Sequence, residues 1–318
     1  MLGRTANGLF WMFRYLERAE NTARLLNAGL RMALTRDVKT AEDEWRSVIS
    51  TLGLKTQYEE HNDGYDGHSV WNFVLRDRTN PANVREMFTA VRNNARSART
   101  QISSPVWEAL NENWMRLDEM LARPVSQAGV GDVITRLRRA GTQVHGALDG
   151  TMLRNESFHF ARAGTFAERA ESTARILDMK YYLLLPSLAH VGSSLDSTQW
   201  DQVLRSVAGA SAYTWLNAGQ IDARGIVEFL VLDTRFPRSL AFCREAVGGH
   251  VAALARIHGQ GEGSGCASLN LMTEEGSSLE GLSVDDIFDQ GLHEFLTDFM
   301  ARNAAIANAI GEDYRFLS

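Results

Sequence analysis

The chain has 318 residues, of which 44% are hydrophobic and 23% charged, values that are ordinary for one large or two average globular domains. Its formal net charge of −6 argues against a nucleic-acid-binding protein with a broad basic face. The longest apolar run has about five residues, so no membrane span is expected. The two cysteines are far apart and no hydrophobic N-terminal segment is seen, which favours a reducing cytoplasm as the location.

Helical periodicity runs through most of the chain, and alternating strand patterns are scarce. Apolar residues recur every three or four positions over residues 5–35, 81–103, 156–185, 236–257 and 284–310. Helices are predicted to begin at Pro81, Pro105 and Pro237, and Pro81 and Pro237 are placed at first helical positions, where a missing N–H is harmless. Loops are predicted at 59–67, 129–131, 192–196 and 259–268. The sequence therefore predicts an all-α protein.

One passage occurs twice. Residues 16–26 (LERAENTARLL) and 167–177 (AERAESTARIL) share eight of eleven residues at an offset of 151. Two further pairs of segments match in the same order at offsets of 155 and 156, around Trp45 and Trp200 and around Pro81 and Pro237. We therefore predict two duplicated helical repeats, 1–150 and 151–318, packed as a single helical body with pseudo-twofold symmetry.

The repeated ERAE segment carries the strongest chemical signal. At 100° per residue, Glu20 lies at the edge of the apolar stripe of its helix, and Glu171 is its equivalent in the second copy. A carboxylate directed toward a core must be paired or protonated. Arg24 and Arg175, each four residues further on, are in the favourable order for a helical ion pair.

If a twofold axis relates the copies, the two Glu–Arg pairs approach each other. The carboxylates of Glu17 and Glu168 then lie close to them. The cluster is then either a buried ion-pair network that joins the halves or a polar ligand or catalytic site. In the second case the candidate catalytic residues are Glu17, Glu20, Glu168 and Glu171.

A dimetal centre is a separate possibility for these carboxylates. Ferritin-like centres use Glu-x-x-His from two helices and two further glutamates. The chain has one such spacing, Glu156 to His159, and the matching positions of the first copy, near residues 5–8, hold neither ligand. Arginines beside the glutamates would also repel a cation. We therefore expect no bound metal and no cofactor.

A row of arginines follows Pro81. Arg85, Arg92, Arg96 and Arg99 share one face of the predicted helix, whereas the corresponding stretch of the second copy, 241–253, has only Arg244. The row is either a solvated, salt-bridged face or a wall that binds phosphate or carboxylate groups. Arginine contacts such groups through two parallel hydrogen bonds.

Short motifs stand in a fixed order along the chain. They are Leu9-x-Trp11, 14–20 (RYLERAE), 23–26 (ARLL), 91–96 (VRNNAR), Trp107-x-x-Leu110-Asn111, Met152-x-Arg154, Glu168-Arg169-Ala170 and 236–239 (FPRS). Together they resemble the motifs of the bacterial Alpha-E family over nearly the whole chain. One departure is that the Gly-Arg pair expected before each Glu-Arg-Ala is Phe13-Arg14 in the first copy and Gly164-Thr165 in the second.

The resemblance implies an all-helical protein associated with circularly permuted ATP-grasp ligases and transglutaminase-like peptidases. It suggests a pathway that makes or modifies a small peptide or amide, and some relatives are fused to the ligase. The arginines of these motifs and of the two clusters above are the candidate substrate-binding residues: Arg14, Arg18, Arg24, Arg92, Arg96, Arg99, Arg169, Arg175 and Arg238.

Three functions stay open at this point. The chain is a partner subunit of an ATP-grasp amide ligase, an enzyme acting on an amino-acid or peptide intermediate, or a purely structural helical protein. In the enzyme, a glutamate would act as general base while an arginine holds a carboxylate or acyl phosphate. A small amino-acid or peptide substrate is expected, and neither nucleic acid nor a membrane is expected as a partner.

Overall fold

The chain divides into two compact units. A computed structural model describes residues 1–33, 38–183, 194–217, 221–260 and 265–316, and all regular structure in these ranges is helical, which confirms the all-α class. We call Tyr15–Met152 the contiguous unit, and Met1–Arg14 with Leu153–Ser318 the two-segment unit. The predicted repeat boundary near residue 150 and the pseudo-twofold symmetry stay predictions.

The contiguous unit contains most of the first helix, α1 (Gly3–Ala33). Its other α-helices, in the described residues, are α2 (Val38–Thr51), α3 (Lys55–Glu59), α4 (Gly67–Leu75), α5 (Val84–Ser97), α6 (Ser104–Met120) and α7 (Val130–Thr151). The helix α6 packs against both α5 and α7. Fully buried residues such as Leu16, Leu117 and Val144 form its core, and burying such side chains contributes roughly 1.5–3 kcal/mol each.

The two-segment unit is organised around one long helix, α8 (Glu156–Leu183). The others are α9 (Ser194–Ser206), α10 (Ala210–Leu216), α11 (Ala223–Val231), α12 (Leu240–Ile257), α13 (Ala267–Leu279), α14 (Val284–Gln290) and α15 (Leu292–Asp313). Both α12 and α15 pack on α8. The start of α1 also lies on α8, where Gly164 faces the Phe10 carbonyl. Any Cβ at this position would overlap that carbonyl, so the close approach requires glycine.

Helix starts recur at equivalent positions of the two predicted copies. Asp66 and Asp222, 156 residues apart, cap α4 and α11 by accepting backbone N–H bonds of 3.0 and 2.7 Å. Asn83 and Ser239, also 156 residues apart, cap α5 and α12 at 2.9 and 3.1 Å. These side chains satisfy donors that the first helical turn leaves open.

The prediction that Pro81 and Pro237 begin helices is wrong. Each proline lies in a turn two residues before a capping side chain, and α5 and α12 begin after the cap. The capping side chains also donate backward, from Asn83 Nδ2 to the Asp77 carbonyl at 2.9 Å and from Ser239 Oγ to the Asp233 carbonyl at 2.5 Å. These bonds fix the turn and displace the helix start.

Some predicted elements extend beyond the described residues. Parts of the predicted helices and loops lie outside the described residues, namely positions 34–35, 184–185, 192–193 and 261–264. Within the described ranges, no helix has both the length and the apolar character needed to cross a bilayer.

Candidate functional site

The first copy of the ERAE motif is buried in the contiguous unit. The helical phase of α1 directs Glu17 and Glu20 inward, and they are 0% and 5% exposed. Arg24, one turn further along α1, donates from Nη2 to Oε1 of Glu20. The predicted burial of Glu20 and its pairing with Arg24 are therefore confirmed.

Two residues of α7 complete the surroundings of these carboxylates. Gly141 faces the Glu20 carboxylate, and a Cβ at this position would overlap Oε2. His145 follows one turn later and places Nε2 3.4 Å from Oε2 of Glu17. One ligand atom from each of Glu17, Glu20 and His145 lies within 4.8 Å of the other two. The sequence analysis missed His145, since no spacing connects α7 to the ERAE motif.

The second copy of the motif lies in the two-segment unit. Its first glutamate is buried and forms an ion pair with an arginine that is distant in the sequence. Glu168 is 2% exposed and accepts a 2.8 Å bond from Nε of Arg14, which is 154 residues earlier in the chain. The Arg14 guanidinium also lies over the Trp11 ring, 4.7 Å from its centroid. Arginine suits both contacts because its planar group combines directed donors with a stacking face.

The second glutamate of this copy is less buried than predicted. Glu171 pairs with Nη2 of Arg175 at 2.7 Å, as predicted, but the two side chains are 15% and 46% exposed. Asn303 of α15 donates to the other Glu171 oxygen at 3.3 Å and to the Ala167 carbonyl at 3.0 Å. This pair is therefore open to solvent on its arginine side. The predicted meeting of the two motif copies stays a prediction.

The arginine row lies on α5 and beyond its end, and its members have different partners. Arg85 pairs with Asp118 at 2.8 Å. Arg92 donates to the neutral amide oxygen of Asn111 at 2.9 Å and lies over the Trp114 ring at 4.1 Å. Arg99 reaches the Ser104 hydroxyl at 3.2 Å. Arg96 is exposed.

The remaining candidate arginines are held by local contacts. Arg18 lies 5.9 Å from the Tyr15 ring centroid. Arg169 donates to the Pro237 carbonyl at 3.3 Å, and the backbone carbonyl of buried Arg238 accepts a 2.9 Å bond from Thr173. Arg169 and Arg238 thus join α8 to the turn before α12.

The two-segment unit also contains a histidine pair and an open cavity. Nδ1 of His159 lies 2.9 Å from Nδ1 of His250. Burial, with His159 and Arg162 nearby, lowers the pKa of His250 to about 4.

A cavity of about 490 Å³ is lined by residues that include Arg4, Glu156, His258 and Arg315. A second, of about 270 Å³, lies around Phe295 and Phe299. The four predicted catalytic glutamates line neither of these two cavities.

Comparison with known proteins assigns the chain to a family. Residues 1–315 match the model of Alpha-E, described as a predicted alpha-helical domain with a conserved ER motif. The chain belongs to the Alpha-E family, and Glu17-Arg18 and Glu168-Arg169 are its two ER pairs.

The chain is also similar to two curated relatives. An uncharacterized protein of Mycobacterium bovis and one of Mycobacterium tuberculosis are each 23% identical to it over 258 residues. The match covers 75% of this chain but 28% of each relative, so the chain spans about a quarter of their length. No solved structure matches the chain.

Proposed function

We propose that this protein is the helical component of a pathway that forms or modifies a small peptide or amide, and that it acts as the partner of a circularly permuted ATP-grasp ligase. Membership of the Alpha-E family supports the pathway. The large part of each curated relative outside the match leaves room for further domains, as in the fusions that the family resemblance implies. A transglutaminase-like peptidase is the second partner in this proposal.

The arginine face of the contiguous unit is the observation that carries the proposal. We define this face as Arg92, Arg96 and Arg99. The described hydrogen bonds of Arg92 and Arg99 go to neutral oxygens, so these bonds leave the positive charges uncompensated. Stacking on Trp114 holds the Arg92 guanidinium in place without neutralising it. A cationic surface of this kind fits the carboxylate of an amino-acid substrate, an acyl phosphate or an acidic patch on the ligase.

The burial of the glutamates favours the partner over the stand-alone enzyme. Glu17 and Glu168 are 0% and 2% exposed. A general base must come within hydrogen-bond reach of the proton that it removes, and side chains this deeply buried require a structural change before they meet a substrate. In the same proposal the two copies of the duplicated sequence have different roles. The first copy binds the anionic ligand, and the second supports the fold.

Ligase reactions run with and without this protein test the proposal. A circularly permuted ATP-grasp ligase from the same organism is incubated with ATP and a small-molecule extract, and products are identified by untargeted mass spectrometry. We expect a product that accumulates several-fold more in the presence of the protein. Arg96→Glu should reduce this effect, because it reverses an exposed charge without removing a described contact.

Arg123→Glu is the matched control, since Arg123 is exposed in the same unit but outside the arginine face. It should leave product formation and ligase binding unchanged. The proposal fails if the ligase neither binds the protein nor changes its products in its presence. Equal losses in Arg96→Glu and Arg123→Glu would show that total charge, and not this face, matters.

A further inference from the structure

We propose that Glu17, Glu20 and His145 form a binding site for a divalent transition-metal ion. Two carboxylates on one face of α1 and one imidazole on α7 bring three ligand atoms within 4.8 Å of one another. Both carboxylates are buried, and the His145 side chain is 13% exposed. The site lies wholly within the contiguous unit, and it goes beyond the proposed role with a ligase.

The distance between His145 and Glu17 fits metal ligands better than a hydrogen bond. Nε2 and Oε2 are 3.4 Å apart, which is longer than the usual range of about 2.7–3.2 Å for an N–H···O bond. Two ligands bound tetrahedrally at about 2.0–2.1 Å lie about 3.3–3.4 Å from each other. The observed separation therefore leaves space for an ion between the two atoms.

Two neighbouring groups hold the Glu20 carboxylate in place. Arg24 donates to Oε1 of Glu20. Gly141 leaves room for Oε2 against the backbone of α7. Ligating carboxylates are commonly fixed by such outer hydrogen bonds, which orient the remaining oxygen toward the ion. In this proposal Arg24 positions the Glu20 carboxylate, and its charge leaves a net charge of −1 on the two glutamates and the arginine.

The donor set selects the class of ion. One imidazole with two carboxylates suits Zn²⁺, Mn²⁺ or Fe²⁺, whereas the imidazole disfavours Mg²⁺ and Ca²⁺, which prefer oxygen ligands alone. The sequence predicts no metal because its single Glu-x-x-His spacing, Glu156 to His159, has no counterpart in the first copy and because arginines flank the glutamates. The third ligand lies instead on another helix.

Metal titration of the purified full chain tests the site. The protein is stripped with a chelator and titrated with Zn²⁺ and Mn²⁺ by calorimetry, and bound metal is counted by elemental analysis. We expect one ion per chain and a rise in Tm when metal is added, because binding to the folded state stabilises it. If neither ion binds the wild-type chain, the proposal is overturned, whatever the outcome of the ligase experiments.

Variants then localise the bound ion. His145→Gln should weaken binding at least tenfold, while His61→Gln, a change at an exposed histidine of the same unit, should leave it unchanged. Gly141→Ala should also weaken binding, because the added Cβ displaces Glu20, and Gly146→Ala on the same helix, where a Cβ meets nothing within 4 Å, is its control. Glu17→Gln replaces His145→Gln if circular dichroism shows that the latter is unfolded. Equal affinities in a folded ligand variant and its control would place the ion elsewhere.

Discussion

Two glutamate–arginine pairs with the same sequence spacing lie in different surroundings. The side chains of Glu20 and Arg24 are 6% and 13% exposed, against 15% and 46% for Glu171 and Arg175. Removing one partner of a buried pair leaves a desolvated charge, whereas water replaces the lost partner of an exposed one. The two pairs therefore differ in how much each arginine contributes to stability.

Arg24→Ala is expected to lower the free energy of unfolding by about 3–5 kcal/mol, the range for broken buried pairs. Its matched control, Arg175→Ala, should lower it by about 0–1 kcal/mol, as for surface pairs. Urea unfolding followed by circular dichroism measures both. Equal losses in the two variants would contradict the difference in burial.

The sequence predicts one part of this site and not the other. The helical phase of α1 is sufficient to direct Glu20 inward and to pair it with Arg24. It cannot distinguish Glu20 from Glu171, whose carboxylates contact different elements, Gly141 of α7 for Glu20 and Asn303 of α15 for Glu171. Contacts between distant helices leave no mark on local spacing, and His145 was missed for the same reason.

At the scale of elements, the ends of α2 and α9 are closed in the same way. Gly53 and Ala208, 155 residues apart, have φ values of 72° and 54°. In each case the next residue donates its N–H to a carbonyl five residues back, at 3.1 Å from Leu54 and 2.7 Å from Gly209. This helix-ending motif requires a left-handed residue, for which glycine is the usual choice. Ala208 adopts that conformation with a side chain.

Ala208→Gly is expected to stabilise the protein by about 0.5–1 kcal/mol, because it relieves the left-handed strain of an L-residue at some loss of chain entropy. The reciprocal change, Gly53→Ala, should destabilise by about 1 kcal/mol. Both positions are exposed, so packing contributes little. The changes are measured by urea unfolding, and the same sign for both variants would contradict the prediction.

The existence of the helices follows from the sequence more securely than their boundaries. Periodicity over three and four residues is enough for the all-α class. The starts of α5 and α12 differ from the prediction because Pro81 and Pro237 lie in turns, and the side chains of Asn83 and Ser239 cap the helices after them. A cap is recognised by its hydrogen bond, which many Asn and Ser residues in loops do not make.

At the scale of the whole molecule, the histidine pair makes stability depend on pH. Burial lowers the pKa of His250 to about 4 and also lowers that of His159, whereas an unfolded histidine titrates near 6.5. Between these values the unfolded chain binds more protons than the folded one. Stability should therefore fall as the pH decreases from about 6.5 toward 4, and this contribution should be constant above about 7.5.

His250→Phe should reduce this pH dependence, since it keeps a ring beside Phe158 and Phe166 and removes a titrating group. The measurement is the free energy of unfolding at pH 7.5 and pH 5 for the variant and for His61→Gln. The free energy of unfolding should differ less between pH 7.5 and pH 5 in His250→Phe than in wild type. In His61→Gln this difference should be the same as in wild type. An unchanged difference in His250→Phe would show that folding does not lower the pKa of His250.

The two-segment unit has a consequence for the order of events during synthesis. Arg14 and Glu168 are 154 residues apart. At about 5–20 residues per second, the ribosome therefore makes Glu168 about 8–30 s after Arg14. During this interval the contiguous unit can complete its own core. The distant residues that Phe10 and Arg14 contact have not yet been synthesised. The segment Met1–Arg14 is thus among the last to reach its final place in the two-segment unit.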